Sequence, residues 1–283
     1  MLRIRVMKPE DIPFAVRLTR LEGWGIPARD FRRVLRLDGR GSFIATEGRR
    51  NIGLTTTAHY GQRIAWIGNV IVKRQYRQRH IGLRLVEHAV NYLTKIRVKH
   101  IALYCFKENV AFYRRLGFVE GPGFVRLRRE SERPRLEAVV EAPSNPLALS
   151  SVLALDAKGF GADRRRLFSS LLREGFAWYL TYQSRSAASY VLVKKYYDMN
   201  EIGPWIAFGL NSRELDLLLK VVIRKSGRKP IEVTCPNTNG PVLRMMKRRG
   251  FHSTNEGRVM YFKHITVLGR PKAVVAHGFL DKG

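Results

Sequence analysis

The twenty residues from Ala65 to Arg84, AWIGNVIVKRQYRQRHIGLR, limit the possible folds more than any other stretch. Trp66, Ile67, Val70, Ile71 and Val72 form an apolar, largely β-branched run, the composition of a buried strand. A cationic loop from Lys73 to Arg79 follows, then His80, Ile81 and Gly82. Beyond it Leu85, Val86, Ala89, Val90, Leu93 and Ile96 recur at helical spacing and predict an amphipathic helix. A strand, a positive loop and a helix N-terminus in succession make an anion cradle. First-turn amides have no partner inside the helix, and its dipole favours negative charge there. Lys73, Arg74, Arg77, Arg79 and Arg84 surround the spot with no acid between them, so the stretch reads as a phosphate-binding site.

The chain around it alternates strands and helices. A strand is expected at 2–7 and a helix opening at Pro9-Glu10-Asp11, whose acids suit its dipole. A loop through Gly23 and Gly25, a second helix at 28–37 and strands at 41–47, 51–60 and from about 62 come next. After the cradle helix come a strand at 100–106, a helix from about Asn109 to Gly117 and a strand at 124–128, giving β-α-α-β-β-β-α-β-α-β. Arg129–Arg135 is charged, contains Pro134 and lacks periodicity, which places a boundary between a domain over 1–130 and another over 135–283. The pattern then restarts, with expected strands at 136–142, 176–183, 188–195, 201–208, 230–235 and 258–264. Helices are expected at 147–156, 162–173, 212–225 and 239–249. Ile67-Gly68-Asn69 answers Ile202-Gly203-Pro204, Cys105 answers Cys235, and Arg115-Leu116-Gly117-Phe118 answers Arg248-Arg249-Gly250-Phe251. That correspondence is the mark of a duplicated domain.

Composition narrows the function classes. Apolar residues make up 45% and charged residues 27% of the 283 positions, as in a globular protein. No apolar run is long enough for a membrane span, and the N-terminus lacks the core of a signal peptide, so a cytoplasmic protein is expected. The two cysteines fit a reducing compartment and have no metal-site spacing, so no metal is expected. Lys and Arg number 52 against 23 Asp and Glu, a net charge of +29, and this basic protein would attract nucleic acid or another acidic partner.

Two motifs carry a resemblance. Arg77-Gln78-Arg79-His80-Ile81-Gly82 is similar to the phosphate motif Arg/Gln-x-x-Gly-x-Gly/Ala of the GNAT superfamily of acetyl-CoA-dependent N-acetyltransferases, with His80 in place of a glycine. Phe112-Tyr113-Arg114-Arg115-Leu116-Gly117-Phe118 resembles that superfamily's aromatic helix ending in Gly-Phe. The likeness covers nearly all of residues 2–128. The second half resembles an atypical, degenerate C-terminal GNAT lobe, on LALDAKGFGADRRRLF (153–168), EIGPW (201–205) and PKAVVAHGFLDKG. It lacks the arginine and glycine spacing at 207–214 and has Met246 where the first half has Tyr113.

The implied fold is a mixed α/β sheet in two tandem GNAT-like domains, and the implied reaction is direct acetyl transfer from acetyl-CoA to a primary amine. The resemblance implies Val70, Ile71, Val72, Arg77, Gln78, Arg79, His80, Ile81, Gly82, Leu83 and Asn109 as cofactor-binding residues. It implies Tyr113 as the catalytic proton donor to the departing thiolate. No Asp or Glu lies between Asn51 and Glu87, so the general base is not legible; Glu22 and His59 are candidates, and Trp24 and Tyr60 are candidate acceptor-pocket residues. Each of these has an ordinary structural alternative in core packing or surface solvation. The competing function is a basic nucleic-acid or ribosome-associated protein, or an acetyl-CoA-sensing one, on a non-catalytic GNAT scaffold.

Overall fold

The computed structural model describes residues 1–131 and 147–283. The strand expected at 136–142 and the later part of the expected boundary lie outside the described residues. The chain forms two compact units. One comprises Met1–Glu120, Met260–Thr266 and Leu280–Gly283; the other comprises Gly121–Val259 and Val267–Phe279.

In the first unit the strands β1 (Leu2–Val6), β2 (Phe43–Glu47), β3 (Arg50–Tyr60), β4 (Ile64–Val72) and β5 (His100–Phe106) lie side by side in that order. All pair antiparallel except β4 with β5, which are parallel. One face carries α1 (Ile12–Leu21) and α2 (Ala28–Leu37), where Phe14, Leu18 and Phe31 bury against Ile44, Leu54 and Ile71. The other carries α3 (Ile81–Lys95), whose Leu85, Val86, Ala89 and Leu93 bury against Ala65, Ile67, Ile101 and Leu103. Ile67 and Ile71 lie four residues apart on β4 yet face opposite sides. An extra residue accounts for this: Thr56 pairs with Gly68, whereas Leu54 pairs with Ile71. That is a β-bulge, and it turns the following side chains over. Met260 and Phe262 complete this core from far along the sequence, the Phe262 ring centroid lying 5.3 Å from that of Phe118.

The second unit has strands β7 (Ala177–Gln183), β8 (Ala188–Lys195), β9 (Asn200–Phe208) and β10 (Ile231–Pro236). The run β6 (Phe118–Arg129) enters it at Gly121 and pairs antiparallel with β10, Leu127 opposite Val233. Helices α5 (Leu149–Phe160), α6 (Arg165–Arg173), α7 (Ser212–Ser226) and α8 (Gly240–Arg248) surround this sheet. Two strands begin six residues earlier than their composition predicts: β6 at Phe118 rather than 124, and β11 (His252–Phe262) at His252 rather than 258. Gly121-Pro122-Gly123 and the polar run 252–257 lack strand composition, and ladder pairing overrides that local preference. A short strand that the sequence does not predict, β12 (Val274–Ala276), pairs with β9.

The phrase at 153–168 has a packing reason. Asp156 on α5 accepts hydrogen bonds from Arg164 Nε at 3.0 Å and from the Tyr190 hydroxyl at 2.5 Å, with all three side chains buried. The guanidinium carbon of Arg164 stands 3.8 Å from the Phe160 ring centroid. Gly159 is needed because a Cβ there would come within 2.6 Å of Ile206.

His277 follows β12, and burial beside Arg164 pushes its imidazole down to about 4. The unfolded chain takes up that proton near 6.5. Stability is therefore complete above 6.5 and declines as pH falls from 6.5 towards 4. The expected loss is about 3 kcal/mol, read from urea midpoints across that range. His277→Gln should flatten the dependence; an equal slope in the variant would assign it to another group.

Candidate active site

The loop that the sequence reads as a cradle lies between β4 and α3, after a 3-10 turn at Arg74–Tyr76. His80 is the N-cap of α3 at φ 55°, ψ 15°, and its side chain makes no capping bond. It thus holds the left-handed conformation in which a glycine would be unstrained. Gln78 is left-handed as well, at φ 63°. Two left-handed residues in three turn the loop sharply into the helix and leave the first-turn amides without side-chain caps.

The absence of acids holds for the stretch and not for the fold. Arg77 donates from Nε to the Val72 carbonyl at 3.0 Å and from Nη2 to Glu22 at 2.5 Å. Arg79 donates to Glu47 at 2.5 Å and lies over the Tyr76 ring, 5.5 Å from its centroid. Arg79 also holds the Glu47 carboxyl below the usual carboxylate range. Both partners come from elements remote in sequence, so a count of charges along the loop does not find them. Lys73 stands over the Phe14 ring at 5.3 Å.

Next to the cradle the β4–β5 ladder stops. Pairing runs from Ile64 with His100 to Ile67 with Leu103 and ends there, one residue before the bulge at Gly68–Val70. Asn69 sits in the bulge at φ 52°, and its Nδ2 donates to Thr56 Oγ1 at 3.0 Å. Beyond Ile67 the main chain of Val70, Ile71 and Val72 lies outside the β4–β5 ladder, with the Val72 carbonyl held by Arg77 Nε, and the edge at Val70 and Ile71 is one on which an extended amide-bearing chain can pair. Ile81 is buried, Leu83 half-buried, and Gly82 lies against Phe112, where a Cβ would have ordinary contact at 3.5 Å. The helix start thus offers donors to a negative charge beside a strand edge that lies outside its ladder.

Tyr113 lies on α4 (Val110–Arg114), which follows β5 through a 3-10 turn at Lys107–Asn109. Its ring is buried, edge-on to Phe112 at 5.0 Å and to Phe118 at 5.9 Å. Burial, with nearby Cys105 adding to it, pushes the phenol well above its ordinary value, so it keeps its proton throughout the neutral range. Cys105 is itself a buried free thiol. Asn109 is exposed at the N-cap of α4 and makes no side-chain cap.

The remaining candidates separate. Glu22 is the C-cap of α1, engaged with Arg77, and Trp24 is exposed just beyond it. His59 pairs in register with Ala65, roughly 10 Å along β4 from the bulge. Its Nε2 stands 3.8 Å from Asp38 Oδ2. Tyr60 is buried, and its hydroxyl donates to the Lys282 carbonyl at 2.6 Å. Sequence reading missed three residues of the site: Glu47, Asn69 and Asp281, whose Oδ2 lies 3.2 Å from Asn69 Nδ2. Ile67-Gly68-Asn69 was visible as a repeated phrase, but nothing local announces a bulge or a partner 212 residues away.

The second unit repeats these parts and fills them. Its β9–β10 ladder also stops early, at Ile202 with Val233. There β12 lies along β9, Val274 opposite Ile206, and the His277 amide donates to the Thr234 carbonyl of β10 at 2.7 Å. The first-turn amides of α7 are occupied as well. Asn211 Oδ1 accepts from the Arg213 amide at 2.9 Å and the Glu214 amide at 3.1 Å, and the Glu214 carboxylate accepts from the Asn211 amide at 2.8 Å. A capping box with an acid at that position disfavours an anion. Met246, at the place of Tyr113, is buried, and Asn239 caps α8.

Comparison with known proteins agrees with this arrangement. Residues 14–118 match the model of the Acetyltransferase (GNAT) family, and residues 152–273 match that of the Acetyltransferase (GNAT) domain. A Pyrococcus horikoshii protein provisionally classed as an acetyltransferase is similar at TM-score 0.78 and 22% identity, covering 100% of this chain and 96% of its own. A GCN5-related N-acetyltransferase from Sphaerobacter thermophilus gives TM-score 0.65 at 13% identity over 94% and 97%. A tandem GNAT protein from the clavulanic acid biosynthesis pathway gives 0.63 at 13% over 94% and 100%. At these identities the structural likeness speaks to fold alone, and no curated protein matches the sequence. With both halves matched by models of one family and the architecture shared along the full length, the chain belongs to the GNAT acetyltransferases and carries two GNAT domains in series.

Proposed function

We propose that the first unit transfers an acetyl group from acetyl-CoA to a primary amine, and that the second unit is a non-catalytic GNAT lobe. The observation that carries this reading is the ladder break after Ile67 and Leu103, beside an uncapped, cation-lined helix start. When bound, acetyl-CoA supplies an activated thioester carbonyl and a thiol leaving group. The residues of the chain do the rest. The first-turn amides of α3, with Arg77, Arg79 and their neighbours, hold the diphosphate, and the stretch Val70–Val72 beyond the β4–β5 ladder orients the pantetheine arm. The bulge takes Asn69 and Val70 out of the β3 register, and in this reading their main-chain amides serve as donors where negative charge develops on the carbonyl oxygen. Tyr113, kept protonated by burial, donates to the departing sulfur. In the second unit β12 and the α7 capping box occupy the equivalent positions.

Acetyl-CoA at a hundredfold excess over its Kd should raise Tm by about 5 °C. Arg77→Glu should remove the rise, because the exposed guanidinium is exchanged for a charge that repels phosphate. A rise of the same size in the variant would count against the cradle. Thiol release with a panel of primary amines then identifies the acceptor.

A further inference from the structure

The segment Leu280–Gly283 belongs to the first unit and lies along β3 and β4 at the bulge. Its fit is close. A Cβ on Gly68 would lie 2.6 Å from the Asp281 carbonyl oxygen, and one on Gly283 would lie 2.1 Å from Trp66 Nε1. Tyr60 donates to the Lys282 carbonyl at 2.6 Å, and Asn69, inside the bulge, donates to Asp281 Oδ2 at 3.2 Å. Lys282 is 4% exposed, and its ammonium is paired with the same Asp281 oxygen. A primary amine and a carboxylate thus stand together at the bulge, on a segment of a unit whose β3–β4 region supplies no acid of its own.

We propose that Lys282 is an acetyl acceptor in cis, with Asp281 taking its proton; this rests on the transferase reading above. The ammonium gives one proton to the Asp281 carboxylate, and the neutral Nζ attacks the thioester carbonyl of acetyl-CoA. The C–N bond forms, the C–S bond breaks, and the thiolate takes the proton of Tyr113. The second nitrogen proton, lost as the amide forms, restores the Tyr113 phenol. The products are acetyl-lysine, coenzyme A thiol and one proton released from Asp281. Acetylation removes the Lys282 charge and therefore its ion pair with Asp281, which loosens the segment from β4.

The test is peptide mapping of the full chain by mass spectrometry after incubation with acetyl-CoA, beside apoprotein treated with dilute acetic anhydride. Spontaneous acylation follows exposure, so the anhydride should modify surface lysines first and Lys282 among the last. With acetyl-CoA the order should reverse, Lys282 being modified first at a fractional rate independent of protein concentration. Asp281→Asn should slow that modification at least tenfold. Each of these outcomes overturns the proposal: acetyl-CoA labelling that tracks the anhydride order, a rate proportional to protein concentration, or an Asp281→Asn rate equal to that of the parent. If Lys282 stays unmodified while acetyl-CoA still raises Tm, the cis acceptor is excluded and the transferase reading stands. If the rise is absent too, both fall.

Discussion

Tyr113→Phe is expected to lower turnover by about 100-fold or more, close to 3 kcal/mol of transition-state stabilisation, while leaving the acetyl-CoA-induced rise in Tm unchanged. The change removes one oxygen from a buried ring held edge-on by Phe112 and Phe118, so the packing of α4 survives. In the proposed mechanism, what is lost is the proton for the departing sulfur. Because burial keeps the phenol protonated, the parent enzyme should show no fall in rate from Tyr113 ionisation at neutral to mildly alkaline pH. The measurement is thiol release with the amine that the panel identifies, in parallel with thermal shift. Parent-like turnover would take Tyr113 out of the reaction and reduce it to an aromatic of the core.

Asp156→Ala should cost about 3–5 kcal/mol of stability, the range for breaking a buried ion pair by removing one partner. Arg164, 2% exposed, would keep its charge without the carboxylate, and the Tyr190 hydroxyl would lose its acceptor. Replacing both ions, Asp156→Leu with Arg164→Met, should be less damaging than the single change, since no isolated charge is then buried. Urea unfolding read at both units, with the double-mutant cycle, checks this. A single variant within about 0.5 kcal/mol of the parent would show that the pair contributes little.

Much of the first unit was legible because its signals are local. The β-branched run, the cationic loop and the helical period from Leu85 to Leu93 specify a strand, a turn and a helix without help from elsewhere. The helix that carries Tyr113 was readable from its motif. The strands β6 and β11 were only half legible, since Gly121-Pro122-Gly123 and the polar run from His252 look like turns until a ladder pairs them. The charge balance of the cradle was misleading in isolation, because Glu22 and Glu47 approach Arg77 and Arg79 only in the folded chain.

The sequence by itself determined the duplication, most of the element order among the described residues and the cationic composition of the α3 loop, all of which depend on neighbours a few residues apart. Tertiary structure alone decided which acids face which arginines, where the β4–β5 ladder ends, and that β12 closes the second lobe. It also decided that Asp281 and Lys282 reach the bulge. The physical reason is range. Propensity, periodicity and helix-end electrostatics act within one or two turns of chain, whereas ladder register and ion pairing are settled by residues that meet only after folding.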